Sequence, residues 1–211
     1  MRLATAASYP ASARPMKKVV IHSETRLLDD YFQVDEAEFS FERFDGHMSA
    51  PVRRLCFERG DSVAAVVFNR DTQRVILIEQ LRFPAYKKGP GWLLEVVAGI
   101  MTRGETPETA LRREVREEIG YEIDQLCHIA TFYLSPGGSS ERVILFQADV
   151  RNAGRVSEGG GVPEEGEDIR LVEVSIEALR DEQVFARIQD AKTLVGIMWL
   201  LQHGATNWDV E

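Results

Sequence analysis

Residues 98–121 read AGIMTRGETPETALRREVREEIGY, and the ends of a helix are written into them. Thr106 can cap it, Pro107 suits the first helical position and Gly120 stops it, which predicts a helix over 107–119. At about 100° per residue, Glu114, Glu117 and Glu118 fall within roughly 100° of arc. Leu111, Val115 and Ile119 form a neighbouring apolar stripe that can dock on a sheet. One side of the helix is therefore anchored while the adjacent side gathers carboxylates. Like charges at these spacings cost about 0.2–0.5 kcal/mol per pair in an isolated helix. A hard divalent cation reverses that penalty, and oxygen-only ligands point to Mg2+, with Mn2+ the alternative. The ordinary explanation of a glutamate-rich helix is a solvated charged face, here neutralised by Arg112, Arg113 and Arg116.

Working outward, SVAAVVF (62–68) and RVILIEQLRF (74–83) are apolar, β-branched runs that read as buried strands joined by the turn NRDT. WLLEVVAGI (92–100) leads into the helix, and strands are expected near 126–134 and 142–150 and at IRLVEVS, with a C-terminal helix around 185–202. Between them, NAGRVSEGGGVPEEGED (152–168) reads as a mobile acidic loop with three glycines for hinging. Upstream, residues 17–57 alternate in a strand-like way, with the turn signal DGHMS at 45–49. These strands are too few to make a core alone. The expected fold class is α+β: a mixed sheet with helices on its faces over 58–211, an antiparallel N-terminal sheet over 17–57, and a flexible tail over 1–16.

The 211 residues carry a formal net charge of −9. That opposes a nucleic-acid backbone, which needs a basic footprint. An acidic protein can still take a phosphate-rich small molecule if cations bridge the two. No apolar run reaches the roughly 18 residues of a membrane span, and the start lacks the apolar region of a signal peptide. Two cysteines, Cys56 and Cys127, show no metal-type spacing and read as reduced thiols of a cytoplasmic protein.

The wider pattern displaces the charged-face explanation. It runs Gly99, five residues, Glu105, seven residues, Arg113-Glu114-Val115, one residue, Glu117-Glu118, one residue, Gly120. At average residue usage such a match in a chain of this length is on the order of one in ten million. It resembles the Nudix box, and the resemblance implies an α/β/α sandwich around a mixed sheet. It also implies metal ligation by Glu114, Glu117, Glu118 and the backbone carbonyl of Ala98, with Arg113 orienting the glutamates. Similarity extends over about 31–202 and is greatest to the dimeric ADP-ribose pyrophosphatases, through DGHMS, VRRLCFERG, IEQLRFPAY, LLEVVAGI, YLSPGGSSER and EGEDIR. Hydrolysis of ADP-ribose to AMP and ribose 5-phosphate is the activity implied. GDP-mannose hydrolases share the SPGG and GGGV-type segments, so GDP-mannose or another nucleotide sugar is the alternative substrate. A non-catalytic nucleotide-binding domain is disfavoured by the intact glutamates.

The same resemblance implies a homodimer with swapped N-terminal strands, in which Tyr31 stacks on adenine. It places Arg82 against phosphate, and Arg54, Gly99, Ser135, Gly137 and Glu141 along the substrate pocket. Hydrolysis needs a water activated by a base, and a carboxylate arriving on a loop suits that task. Within EGEDIR, Glu165 aligns with the base of the ADP-ribose branch. Glu167 aligns with a carboxylate that assists the metal or the water, beside Glu118.

Overall fold

The computed structural model describes residues 17–205; the tail expected over 1–16 lies outside them. The chain divides into two compact units between Phe57 and Glu58. In the first, β1 (Val19–Asp29) and β2 (Gln33–Phe41) pair antiparallel, and β3 (Val52–Glu58) completes a three-stranded sheet. Arg26 grips Asp35 across the β1–β2 pair through two hydrogen bonds of 2.7 and 3.1 Å. Val19, Ile21, Leu27, Leu28, Phe41 and Leu55 remain exposed.

The second unit begins with the hairpin β4 (Ser62–Asn69) and β5 (Arg74–Leu81). The Asn69 carboxamide oxygen closes its turn by accepting from the Asp71 and Thr72 amides. A single turn, α1 (Phe83–Tyr86), precedes β6 (Trp92–Glu95) and β7 (Val97–Ile100). Then come α2 (Pro107–Ile119), β8 (Gln125–Tyr133), β9 (Arg142–Val150) and β10 (Arg170–Ser175). Two one-turn helices, α3 (Ile176–Leu179) and α4 (Glu182–Phe185), lead to α5 (Ala191–His203). The strands run in the order β10-β5-β4-β9-β8, with β6 beside β5 and β7 beside β4. The β4–β9 pair is parallel and the other pairs are antiparallel, so the sheet is mixed.

β4 is apolar throughout because both its faces are covered. Val63, Ala65 and Val67 join the core on the α2 side, and Ala64, Val66 and Phe68 the core on the α5 side. α2 docks through Leu111, Val115 and Ile119, all fully buried. At roughly 1.5–3 kcal/mol each, that burial outweighs the repulsion among the helix glutamates. Ile197 and Leu200 of α5 fill the opposite side. The layers are α/β/α.

The 92–100 segment forms two strands, broken at Val96, whose amide donates to Thr193 Oγ1 at 2.8 Å. Two expectations need correction. The C-terminal helix starts at Ala191 rather than near 185, because Ser175 and Asp181 cap separate single turns and Asp190 caps α5. The 152–168 segment is not a free loop hinged at its glycines. Val156 donates to the Gly120 carbonyl, Gly160 to Glu118 and Gly161 to Glu117, which fastens the glycine run to the end of α2.

Candidate active site

Thr106 Oγ1 accepts from the Thr109 amide at 3.2 Å, and Gly120, at φ 75°, closes α2 by donating to the Arg116 carbonyl. Arg113 projects from this helix as a clasp. Its Nε and Nη2 donate to Glu105, Nη2 also to the Ile100 carbonyl, and Nη1 to Glu114 (2.7 Å) and Glu117 (3.2 Å). The Arg113 hydrogen bond, helped by the Thr102 amide, holds the Glu105 carboxyl at a pKa of about 2. The box glutamate at 105 thus fixes the arginine, and the arginine aims two more glutamates.

Glu118 is only 2% exposed, and its Oε2 accepts from the Ala98 amide at 3.2 Å. Burial, then the Glu114 charge, pushes its pKa well above the usual carboxylate range; Glu167 adds to the shift, and Arg82 opposes it. Burial likewise raises Glu114 against the pull of Arg113, with Glu117 and Glu167 adding to the rise. The Glu114 carboxylate lies on Gly99: a Cβ there would come within 1.9 Å of it. Only glycine leaves that space. Glu167 Oε2 accepts from the Val162 amide at 2.9 Å, and a Cβ on Gly161 would come within 2.7 Å of its side chain. The Glu167 charge, from the acidic segment, bears on both Glu114 and Glu118 of α2.

Arg82, at the end of β5, makes a forked contact with Glu95, the shortest bond being 2.8 Å. Burial works against its charge, but Glu95, Glu118 and Asp190 hold the guanidinium above its ordinary value. Glu95, Lys192 and Asp190 were not singled out in the sequence. Glu95 is 2% exposed and also accepts from Lys192 Nζ (3.2 Å), which bonds Asp190 at 2.9 Å. A glutamate inside an apolar strand, WLLEVV, was the available signal.

The other expected residues lie on other elements of the chain. Glu165 is exposed at the end of a 3-10 turn, Pro163–Glu165. Ser135 opens the turn after β8, its carbonyl accepting from Gly138 and Ser139, and Gly137 has open space around it. Glu141 is buried, accepts from Ser62 Oγ at 2.9 Å and pairs with Arg59 at 3.7 Å. In the N-terminal unit, Tyr31 is 80% exposed between β1 and β2, edge-on to Phe32 at 4.7 Å. Arg54 is exposed on β3 and donates to the Arg53 carbonyl at 2.8 Å.

Among the described residues no three His, Cys, Asp or Glu side chains form a ready-made metal cage. Arg113 bonds both Glu114 and Glu117. The donor set nevertheless fits a hard divalent ion: the buried Glu114 and Glu118 carboxylates, within electrostatic reach of Glu167, over a backbone that only glycine leaves clear.

The NUDIX domain model matches residues 58–193. The chain belongs to the Nudix family. It is similar to an ADP-ribose pyrophosphatase of Escherichia coli (strain K12), at 37% identity over 87% of this chain and 88% of that one. It is also similar to a GDP-mannose pyrophosphatase of Enterobacter sp. (strain 638), at 32% identity over 87% and 95%. A crystal structure described as an ADP compounds hydrolase shares the fold, with a TM-score of 0.67 at 18% identity, covering 91% of this chain and 99% of its own. The Nudix hydrolase reading of the helix thereby holds, and Nudix hydrolases generally use divalent metal ions. No described helix is long and apolar enough to cross a membrane.

Proposed function

We propose that this Nudix hydrolase cleaves the pyrophosphate bond of ADP-ribose, giving AMP and ribose 5-phosphate, with Mg2+ as its metal and Mn2+ a substitute. The observation that carries this reading is the burial of Glu118 against Glu114 and Glu167. Such an arrangement opposes itself until a cation joins it. Glu114, Glu117, Glu118, Glu167 and the Ala98 carbonyl would hold that ion, and Arg113 would release Glu114 and Glu117 to it. A bound cation neutralises phosphate charge and lowers the pKa of its water. Arg82 then contacts phosphate, and Gly99, Ser135, Gly137 and Glu141 shape the pocket. Glu165 accepts the proton of the attacking water. Glu165 follows the fastened glycine run on a 3-10 turn closed by its own amide on the Val162 carbonyl, ahead of Gly166 at φ 76°.

The exposed apolar residues of the three-stranded sheet support a homodimer, in which the N-terminal unit brings Tyr31 to adenine and Arg54 to the pocket. The two unpaired cysteines fit a cytoplasmic setting. The test is a panel of nucleotide sugars with Mg2+, following AMP, GMP and phosphate release separately. ADP-ribose should give the highest kcat/KM. GDP-mannose is the second reading, favoured by the 32%-identical relative, and a preference for it would replace the first.

A further inference from the structure

Gln80 lies near the end of β5, is 6% exposed, and its Nε2 has no hydrogen-bond partner among the described residues. A buried donor left unmet destabilises the fold, so its retention needs a reason. Strand alternation places Gln80 on the face of Ile76 and Ile78, which α2 covers, and Arg82 follows just past the end of β5. Glu79 pairs with Arg170 at the last rung of the β5–β10 ladder, and Ile169 is the next residue beyond that rung. Ile169 belongs to the α2-side core, and a Cβ on Gly161 would touch both Ile169 and Glu167. The unmet amide thus sits where β5, the end of α2 and the acidic segment converge. No carboxylate of the cluster has captured it.

We infer that Gln80 is a substrate-binding residue, its Nε2 donating to a non-bridging oxygen of the pyrophosphate beside Arg82. The chemistry suits the place. Phosphate oxygens only accept, and a carboxamide supplies donors without adding a cation that would compete with metal for Glu114, Glu118 and Glu167. Arg82 alone is a partial answer, since Glu95 already takes its fork. This inference rests on the pyrophosphatase reading above.

The test is Gln80→Met, which keeps length and removes the donor, and Gln80→Glu, which keeps shape and adds a charge. Melting temperature, steady-state kinetics with Mg2+ on the preferred nucleotide sugar, and affinity for its methylene-bridged analogue are measured. Gln80→Met should melt at or above the wild-type temperature, because an unpaired buried donor has gone. Its KM and analogue Kd should rise about tenfold, with kcat within about threefold. Gln80→Glu should raise KM further. KM and Kd within about twofold of wild type in Gln80→Met overturn the assignment, as does failure of both variants to fold, which would make Gln80 structural. If wild type turns over no member of the panel, the pyrophosphatase reading itself fails. Turnover with unchanged KM defeats the Gln80 inference alone.

Discussion

Glu118 concentrates the problem this molecule solves: a carboxylate almost out of water, with Glu114 and Glu167 nearby and one amide for company. Its raised pKa is a statement about stability. A group whose folded pKa lies above its unfolded value stabilises fully below the unfolded value, and loses that contribution as pH rises through the folded one. Metal-free protein should therefore melt higher at about pH 5 than at about pH 8, by the Glu118 and Glu114 contributions. Glu105 runs the other way, but its pKa of about 2 puts its loss below this window. Glu118→Gln should flatten the slope seen in chelator-treated melts, and should fold at least as well as wild type without metal. The same substitution should remove nearly all turnover. A variant keeping more than about a tenth of the wild-type rate at saturating Mg2+ would tie less than about 1.4 kcal/mol of barrier to this residue, and metal ligation by Glu118 would then be abandoned.

Among the elements, the acidic segment separates three roles on neighbouring positions. Glu165→Gln should lower kcat by roughly a hundred- to ten-thousand-fold with KM and Mg2+ affinity little changed, as loss of a general base does. Glu167, whose charge bears on Glu114 and Glu118, should when changed to Gln raise the Mg2+ needed for half-maximal rate. Glu164→Gln should do almost nothing. A crippled Glu164 variant would shift the register by one residue; normal kcat in all three would move the base elsewhere. The same segment marks where sequence stops being legible. The ends of α2 could be read because Thr106, Pro107 and Gly120 act locally. The run at 159–161 read as a hinge because glycine advertises permissive dihedrals, whereas the amides that tie it to Glu117 and Glu118 belong to tertiary structure. The start of α5 was misplaced for a related reason: Phe185 and Ile188 continue an apolar pattern that Asp190 interrupts with a new cap. The unmet donor of Gln80 was illegible because an amide's lack of a partner exists only in the folded chain.

For the molecule as a whole, the first 57 residues should be indispensable to activity. A three-stranded sheet with apolar side chains open to solvent is marginal by itself. Removing 1–57 should yield an insoluble product or an inactive monomer by light scattering and assay. A soluble, fully active monomer would sink both the swapped sheet and the role of Tyr31. The parallel β4–β9 pair has a consequence for synthesis. Ser62 pairs with Val143, 143 − 62 = 81 residues later, and closing such a loop costs roughly 4 kcal/mol of chain entropy. Everything from β5 to β8, including α2, is made inside that loop. When residues 107–119 leave the ribosome, Phe146, Ala148 and Val150, which complete the core beneath them, have yet to emerge. The carboxylates therefore begin in water at ordinary solvation, and the work of drying them falls on the step that seats β9, late in the birth of the chain.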